Sequence, residues 1–469
     1  MCLSTDLVMT GQAPIVLREY QERIVADLRA LLPSHRSVLV QSATGSGKTC
    51  FAAVMAAGVA VKGRRAIFAV HRRELLAQTS NTFARVGVPH GLIQAGQPID
   101  TSQRVQVAML ETLRRRNVPA PDLLVVDEAA HAASTTWAGL IERYRNDGAY
   151  VVGLTATPAR LDGRGLGQWF SAMVQGPPIR WLISQGYLSD YRIFAPPPPD
   201  TRKLRIERGD YARDDAAALM TRPYVLGSAV SHYQRHAPNR LALIYCVSRD
   251  ASRRTAEAFC AAGISAVHLD GETPDAERRE TLQKLARREI QVVCNVELFV
   301  EGTDLAALAG SDVTIEAVSI LRPTQSLGMH LQMCGRALRP KTVPAIILDH
   351  AGNTRRHGRP DDPHAWSLDG LEKPKRRLEL APDIRECPAC WLVYEAAKKA
   401  CPECGEPAPT RPREVVEIDG DLVDLTAADE AKHEKDSARQ FWVLQALARK
   451  RGYRDPAGWA RHVMEGRRG

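Results

Sequence analysis

No apolar run in this chain is long enough to cross a bilayer: the longest, Ala52 to Val61, covers about half of a membrane-spanning helix. Met1 to Ala13 lacks the charged segment followed by an apolar core that a secretory leader requires. Both absences point to a soluble, cytoplasmic protein with no membrane partner. Cysteines for a disulfide framework are also missing. Of the ten present, Cys2, Cys50, Cys246, Cys260, Cys294 and Cys334 stand singly among apolar neighbours, as reduced core cysteines do. An acidic excess is absent too. Lys+Arg number 63 against 54 Asp+Glu, giving a net charge of +9 and a pI near 9.1. That balance suits a nucleic-acid partner, although a solvated basic face gives the same count. What remains is ordinary for a globular protein, with 44% apolar and 25% charged residues. At 469 residues the chain exceeds one core, and usual domain sizes give roughly two to four domains.

Organisation follows from alternation. Leu17, Tyr20, Ile24, Leu28 and Leu31 lie at helical spacing, so a helix precedes the first strand. Strand-like runs at Val38–Gln41, Ala66–Val70, Val105–Met109, Leu123–Val126 and Val151–Leu154 then alternate with helical stretches, which argues for a parallel sheet covered by helices. The pattern breaks at Pro196–Pro199 and a charged segment, a connector. A second series predicts strands at Leu241–Val247, Ala266–Leu269, Gln291–Asn295, Val313–Glu316 and Ala345–Leu348, with helices starting near Asp250, Pro274 and Thr324. Two similar α/β lobes in tandem are expected.

Three constellations carry chemistry. Ser42-Ala-Thr44-Gly45-Ser46-Gly47-Lys48-Thr49 follows the strand ending at Gln41 and precedes helix formers. This is a P-loop with Ser42 in place of the first glycine. Its backbone N–H groups and helix N-terminus cradle phosphate, Lys48 reaches the β/γ-phosphates, and the Thr49 hydroxyl ligates Mg²⁺. Asp127 and Glu128 end the strand Leu123–Val126; Asp127 is expected to hold Mg²⁺ and Glu128 to deprotonate the attacking water. In the second lobe, Gln332, Arg336 and Arg339 fall in one short stretch. Three residues apart on a helix, the two arginines would share a face. They would serve either as arginine fingers toward a γ-phosphate or as ordinary ion-pairing groups.

The order of these motifs resembles the superfamily 2 helicases and translocases. Leu17-Arg18-Glu19-Tyr20-Gln21 is similar to their adenine-recognising motif, which implies that Gln21 contacts the base. The P-loop is similar to motif I, Val70 to Leu75 to motif Ia on the nucleic-acid backbone (His71, Arg72), and Asp127 to His131 to a DEAH-like motif II with alanine at 130. Thr155-Ala-Thr157-Pro158 resembles motif III, Tyr245 to Ser248 motif IV, Glu301-Gly302-Thr303-Asp304 motif V and Gln332 to Arg339 motif VI. The resemblance implies two tandem RecA-like lobes, ATP and Mg²⁺ as ligands, and Gly302 and Asp304 at the nucleotide and lobe interface. Residues 159–167, residues 349–353 and a late cysteine cluster resemble the RadD-like (YejH-type) bacterial and prophage helicases. This implies DNA repair or recombination, with repair or single-strand-binding proteins as partners and DNA preferred over RNA. A double-strand DNA translocase of restriction type, an RNA helicase and an ATP-gated clamp remain as alternatives. No nuclease signature appears, so a restriction motor would need a partner subunit.

Cys387-x2-Cys390, ten residues, then Cys401-x2-Cys404-Gly405 is the spacing of a four-thiolate zinc ribbon, a closed structural shell. His268 and His330 are expected to be packed or hydrogen-bonded residues and not ligands. Near the end, Arg449, Lys450, Arg451, Arg454, Arg461, Arg467 and Arg468 interleave with Tyr453 and Trp459. They would form either a phosphate- and base-gripping tail or a small helical pair around Trp442 and Trp459 with a solvated basic face. The expected layout is a first lobe over 14–190, a connector over 191–222 and a second lobe over 223–352. A basic linker over 353–382, the ribbon over 383–410 and a helical basic tail over 437–469 complete it.

Overall fold

The computed structural model describes residues 16–130, 135–160, 163–207, 209–299, 305–310, 313–370 and 384–408, and the positions 441, 444, 445, 455, 457, 458 and 464. The chain divides into two compact units, Met1–Ala408 and Pro409–Gly469. Of the expected tail, Phe441 and Leu444 are helical; Trp442, Ala448, Tyr453 and Trp459 lie outside the described residues.

Unit 1 contains two parallel sheets flanked by helices. The first joins β1 (Ser37–Gln41), β2 (Ala66–Val70), β3 (Gly91–Ile93), β4 (Val105–Met109), β5 (Leu123–Val126), β6 (Tyr150–Thr155) and β7 (Ala172–Gln175) in the order β3-β4-β2-β5-β6-β1-β7. Strands β1, β2 and β5 are buried throughout, and β4 and β6 nearly so, because helices cover both faces. Such strands read as continuous apolar runs, which is why their bounds were legible. β3 and β7 were not anticipated. They lie at the two sheet edges and are short and only partly buried, so the apolar signal is weak.

The second sheet begins with β8 (Tyr191–Phe194). A two-stranded hairpin, β9 (Ile206–Glu207) and β10 (Asp210–Tyr211), follows, and then β11 (Ala242–Tyr245), β12 (Ala266–Leu269), β13 (Val292–Asn295), β14 (Ala317–Ile320) and β15 (Ala345–Asp349). Its order is β12-β13-β11-β14-β15-β8, all parallel. Two details differ from expectation. β14 occupies 317–320 and not 313–316, because Ala317 to Ile320 pair in register with β11 while Val313 and Ile315 bury from the preceding loop. The stretch expected as a connector contributes β8, which pairs with β15 at the edge of the second sheet. A last hairpin, β16 (Ile384–Glu386) and β17 (Val393–Glu395), carries the first two cysteines of the cluster and leans on that edge. Phe194 bridges Leu392, and Ala195 N–H donates to the Trp391 carbonyl at 2.9 Å.

A column of rings crosses the core of the second lobe. His350 stacks on His232 with centroids 5.2 Å apart, His232 neighbours His236, and His236 stacks on Phe194 at 3.9 Å. Burial, then the neighbouring His232 and His236, depress the His350 pKa to about 3. A depressed histidine pKa stabilises the fold in full above the unfolded value near 6.5, and that stability is lost as pH falls toward the folded value. Chemical unfolding followed between pH 7 and pH 4.5 should show falling stability. The His350→Gln variant should lose about one proton's worth of that slope, roughly 1.4 kcal/mol per pH unit.

Candidate functional site

The P-loop leaves β1 at Gln41 and enters the helix Lys48–Val61 through Gly47, whose φ of 77° is open to glycine without strain. Ser42, the departure from the usual glycine, is stapled into the loop. Its N–H donates to the Thr155 carbonyl at 2.9 Å, and its hydroxyl lies 2.7 Å from that of Ser46, which donates to the Ala43 carbonyl. Lys48 Nζ donates to the Ser42 carbonyl at 3.2 Å, and Lys48 and Thr49 form the first turn of the helix. Gln21 packs directly under the loop. Its Nε2 donates to the Ser46 carbonyl at 2.9 Å, and its Oε1 accepts from the Arg18 N–H at 3.0 Å.

Sequence reasoning missed an aromatic group around Gln21. Tyr20 donates to the same Ser46 carbonyl at 2.7 Å, its ring lies 5.1 Å from Tyr187 and 6.0 Å from Trp181, and Arg18 stacks over Tyr187 at 4.7 Å. Tyr187 and Trp181 come from far along the chain, and only the fold brings them to the loop.

Asp127 and Glu128 stand at the carboxyl end of β5, both buried. Burial, and next the adjacent Glu128, raise the Asp127 carboxyl to about 7, against the lowering effect of nearby Lys48. Glu128 adopts φ 48°, a left-handed conformation that is uncommon outside glycine, and its Oε2 is buried without a hydrogen-bond partner. Two buried acids facing one lysine fit a divalent cation and a polarised water, which would satisfy both. Thr155 closes the floor: its hydroxyl donates to the Thr157 carbonyl at 2.8 Å, while Gln41 Nε2 donates to the Ala156 carbonyl at 2.9 Å.

The second lobe reaches this site through the helix Leu327–Gly335. A Cβ on Gly335 would lie 2.9 Å from Thr44 Cβ, and one on Gly328 would lie 2.7 Å from the Thr157 hydroxyl. The two glycines therefore let the helix backbone touch the P-loop and the 155–158 segment together. Gln332 and Arg336 are buried at this contact. The expectation that Arg336 and Arg339 share a helix face is corrected. Gly335 is the last helical residue, Arg336 caps the helix, and Arg339 lies beyond it. Pro340 also disfavours helical geometry at the preceding Arg339, so the helix does not resume there.

At the motif Ia segment, His71 lies 5.8 Å from Trp137, and Arg72 donates to the Glu297 carbonyl of the second lobe at 3.5 Å. Beside it, Arg278 joins Glu74 across the lobes at 2.8 Å. His131, Gly302 and Asp304 lie outside the described residues. His268 bonds Ser252 and Asp270, and His330 bonds the Gly358 carbonyl.

Comparison with known proteins follows this geometry. Residues 14–160 match the family model described as "Type III restriction enzyme, res subunit", and residues 226–341 match "Helicase conserved C-terminal domain". A "51.5 kDa protein" of Lactococcus phage (isolate 7-9) is 32% identical over 425 residues, 88% of this chain and 89% of its own. The chain belongs to the superfamily 2 helicases. Among helicase relatives, the "Putative mitochondrial ATP-dependent helicase irc3" of Schizosaccharomyces pombe is 28% identical across 72% of this chain and 58% of its own. The "Putative ATP-dependent helicase IRC3" of Saccharomyces cerevisiae is 25% identical across 69% and 49%. The chain thus spans about half the length of the yeast relatives it matches. The solved "ATP-dependent Type ISP restriction-modification enzyme LlaBIII bound to DNA" shares the fold, with a TM-score of 0.51 at 15% identity over 72% of this chain and 28% of that one. Membership of the family implies ATP and Mg²⁺.

A second candidate site belongs to the ribbon. Cys387, Cys390, Cys401 and Cys404 place their sulfurs within 4.8 Å of one another, Cys387 to Cys404 at 3.5 Å and Cys390 to Cys401 at 3.6 Å. Four thiolates about 2.3 Å from one tetrahedral Zn²⁺ stand about 3.8 Å apart, so the four-cysteine set fits that ion. Among the described residues, no helix is long and apolar enough to cross a membrane.

Proposed function

We propose that this chain is a nucleic-acid-stimulated ATPase that moves along or unwinds DNA, of the RadD-like type. One observation carries the reading: Gly335 and Gly328 bring the helix ending at Arg336 against Thr44 and Thr157, so the P-loop is half of a site completed by the other lobe. ATP lies between lobes with its phosphates on the amides of Thr44 to Thr49 and on Lys48, and its base near Gln21. Thr49 and Asp127 would hold Mg²⁺, which when bound would polarise the γ-phosphate. Glu128 takes the proton of the attacking water. Arg336 meets the charge that develops at the γ-phosphate, with Gln332 beside it, and Arg339 supports it from beyond the helix. Opening and closing at this contact would move the lobes along a strand near His71 and Arg72. Zn²⁺ on the four cysteines would fix the ribbon's fold.

The restriction-subunit match over 14–160 favours a second reading, a motor on intact duplex that needs a partner for cleavage. ATP hydrolysis measured with no polynucleotide, single-stranded, duplex and forked DNA, and RNA separates them, with Lys48→Ala as control. Stimulation by DNA well above RNA, with strand displacement, is expected. Stimulation by duplex without displacement would select the motor, and equal stimulation by RNA would remove the DNA preference.

A further inference from the structure

The Gly163–Gly167 run has no place in the ATP site, yet the structure gives it a partner. After the helix Asn353–His357, residues 358–370 leave the second lobe and cross to the first. The departure is fixed at Gly358, whose carbonyl accepts from His330 Nε2 at 3.2 Å, and His330 is a residue of the Leu327–Gly335 helix. Midway, Asp361 meets Arg180 at 3.1 Å and Tyr191, and Gln175 Nε2 donates to the Trp366 carbonyl at 3.3 Å. The arrival is a glycine seat. Gly167 N–H donates to the Leu368 carbonyl at 2.9 Å, Arg164 bridges Gly370, and the Leu368 side chain packs on the cluster holding Leu166, Trp169 and Phe170.

The fit excludes side chains on both partners. A Cβ at Gly165 would overlap the Leu368 carbonyl and the Asp369–Gly370 peptide. A Cβ at Gly370, whose φ is 110°, would press within 2.7 Å of Gly165 N. The seat in turn hangs on the catalytic floor: Ala159 bridges Gly165, and Arg160 N–H donates to the Arg164 carbonyl at 2.9 Å, directly after Thr155–Pro158. Strap and helix close with the P-loop around a cavity of about 140 Å³ lined by Thr44, Ala156, Gly335, Leu338 and Trp366.

We infer that residues 358–370 form an inter-lobe strap, seated on Gly165 and Gly167, that positions the helix ending at Arg336 against Thr44 and Thr157. This rests on the two-lobed ATP site proposed above. The strap joins the elements whose approach completes that site, so it acts on the catalytic step and not on ATP capture, which the first lobe performs. Gly165 and Leu368 act through the placement of that helix and are positioning residues.

The test pairs hydrogen exchange of 358–370 with steady-state hydrolysis in Gly165→Ala, Leu368→Ala and Leu368→Met, each checked for folding by its melting curve. In the two alanine variants exchange protection of 366–370 should be lost. Their kcat should fall about 10- to 100-fold, as for a displaced catalytic group, while the KM for ATP stays within about twofold; Leu368→Met should recover most of the rate. Lost protection with an unchanged kcat, or a raised KM at unchanged kcat, overturns the positioning role, and retained protection in Gly165→Ala overturns the seat. Wild-type hydrolysis by Arg336→Ala would instead defeat the two-lobed site itself, whatever the strap does.

Discussion

Glu128→Gln should lower ATP hydrolysis by about 10²- to 10⁴-fold, the contribution expected of a positioned proton acceptor, and leave ATP affinity within a few-fold. The expectation rests on three coincident features. The carboxylate is buried, its Oε2 has no hydrogen-bond partner, and its backbone sits at φ 48°. A left-handed glutamate costs on the order of 1–3 kcal/mol and persists only where the surroundings over-determine it. Strand β5 and the Asp127 carboxylate, which accepts the Glu128 N–H at 3.0 Å, supply that constraint. Glutamine keeps the shape and removes the basic oxygen, so binding survives and chemistry does not. Equilibrium binding of a fluorescent ATP analogue beside single-turnover hydrolysis reads both. A variant that hydrolyses at the wild-type rate would assign the proton to another group.

The second large effect concerns the cysteines. Cys401→Ser should release about one zinc per chain by elemental analysis and unfold the hairpin around β16 and β17. Apparent binding energies of structural zinc reach about 10–16 kcal/mol, so such small modules seldom outlast their metal. Because Leu392 and Trp391 pair with Phe194 and Ala195, the damage should spread to the neighbouring edge. Amide exchange at Ala195 should rise with exchange in 384–408, while the P-loop strand β1 stays protected. A full zinc complement in the Cys401→Ser protein would refute the four-thiolate shell.

The sequence was most legible where chemistry or burial forces local pattern. Five strands of the first sheet, the P-loop and the four cysteines follow from apolar runs and fixed spacings. What stayed hidden arises between distant segments. Nothing near Gly328 or Gly335 announces Thr157 and Thr44, and Tyr187 and Trp181 reach Tyr20 only through the fold. The arginine pair misled because spacing assumes a continuing helix, whereas the helix ends at Gly335 and Pro340 disfavours any extension through Arg339. The proline run at 196–199 is neither helix nor strand, and the strand just before it, inside the stretch expected as a connector, had already joined the second sheet.

That strand, β8, has a practical corollary. Dividing the polypeptide after residue 222, where composition places the border, would leave β8 on the amino-terminal fragment and strip β15 of its outer neighbour. Each piece would carry an unsatisfied hydrogen-bonding edge matched to the other, a recipe for reassociation or precipitation. A clean cut between the halves belongs ahead of Tyr191.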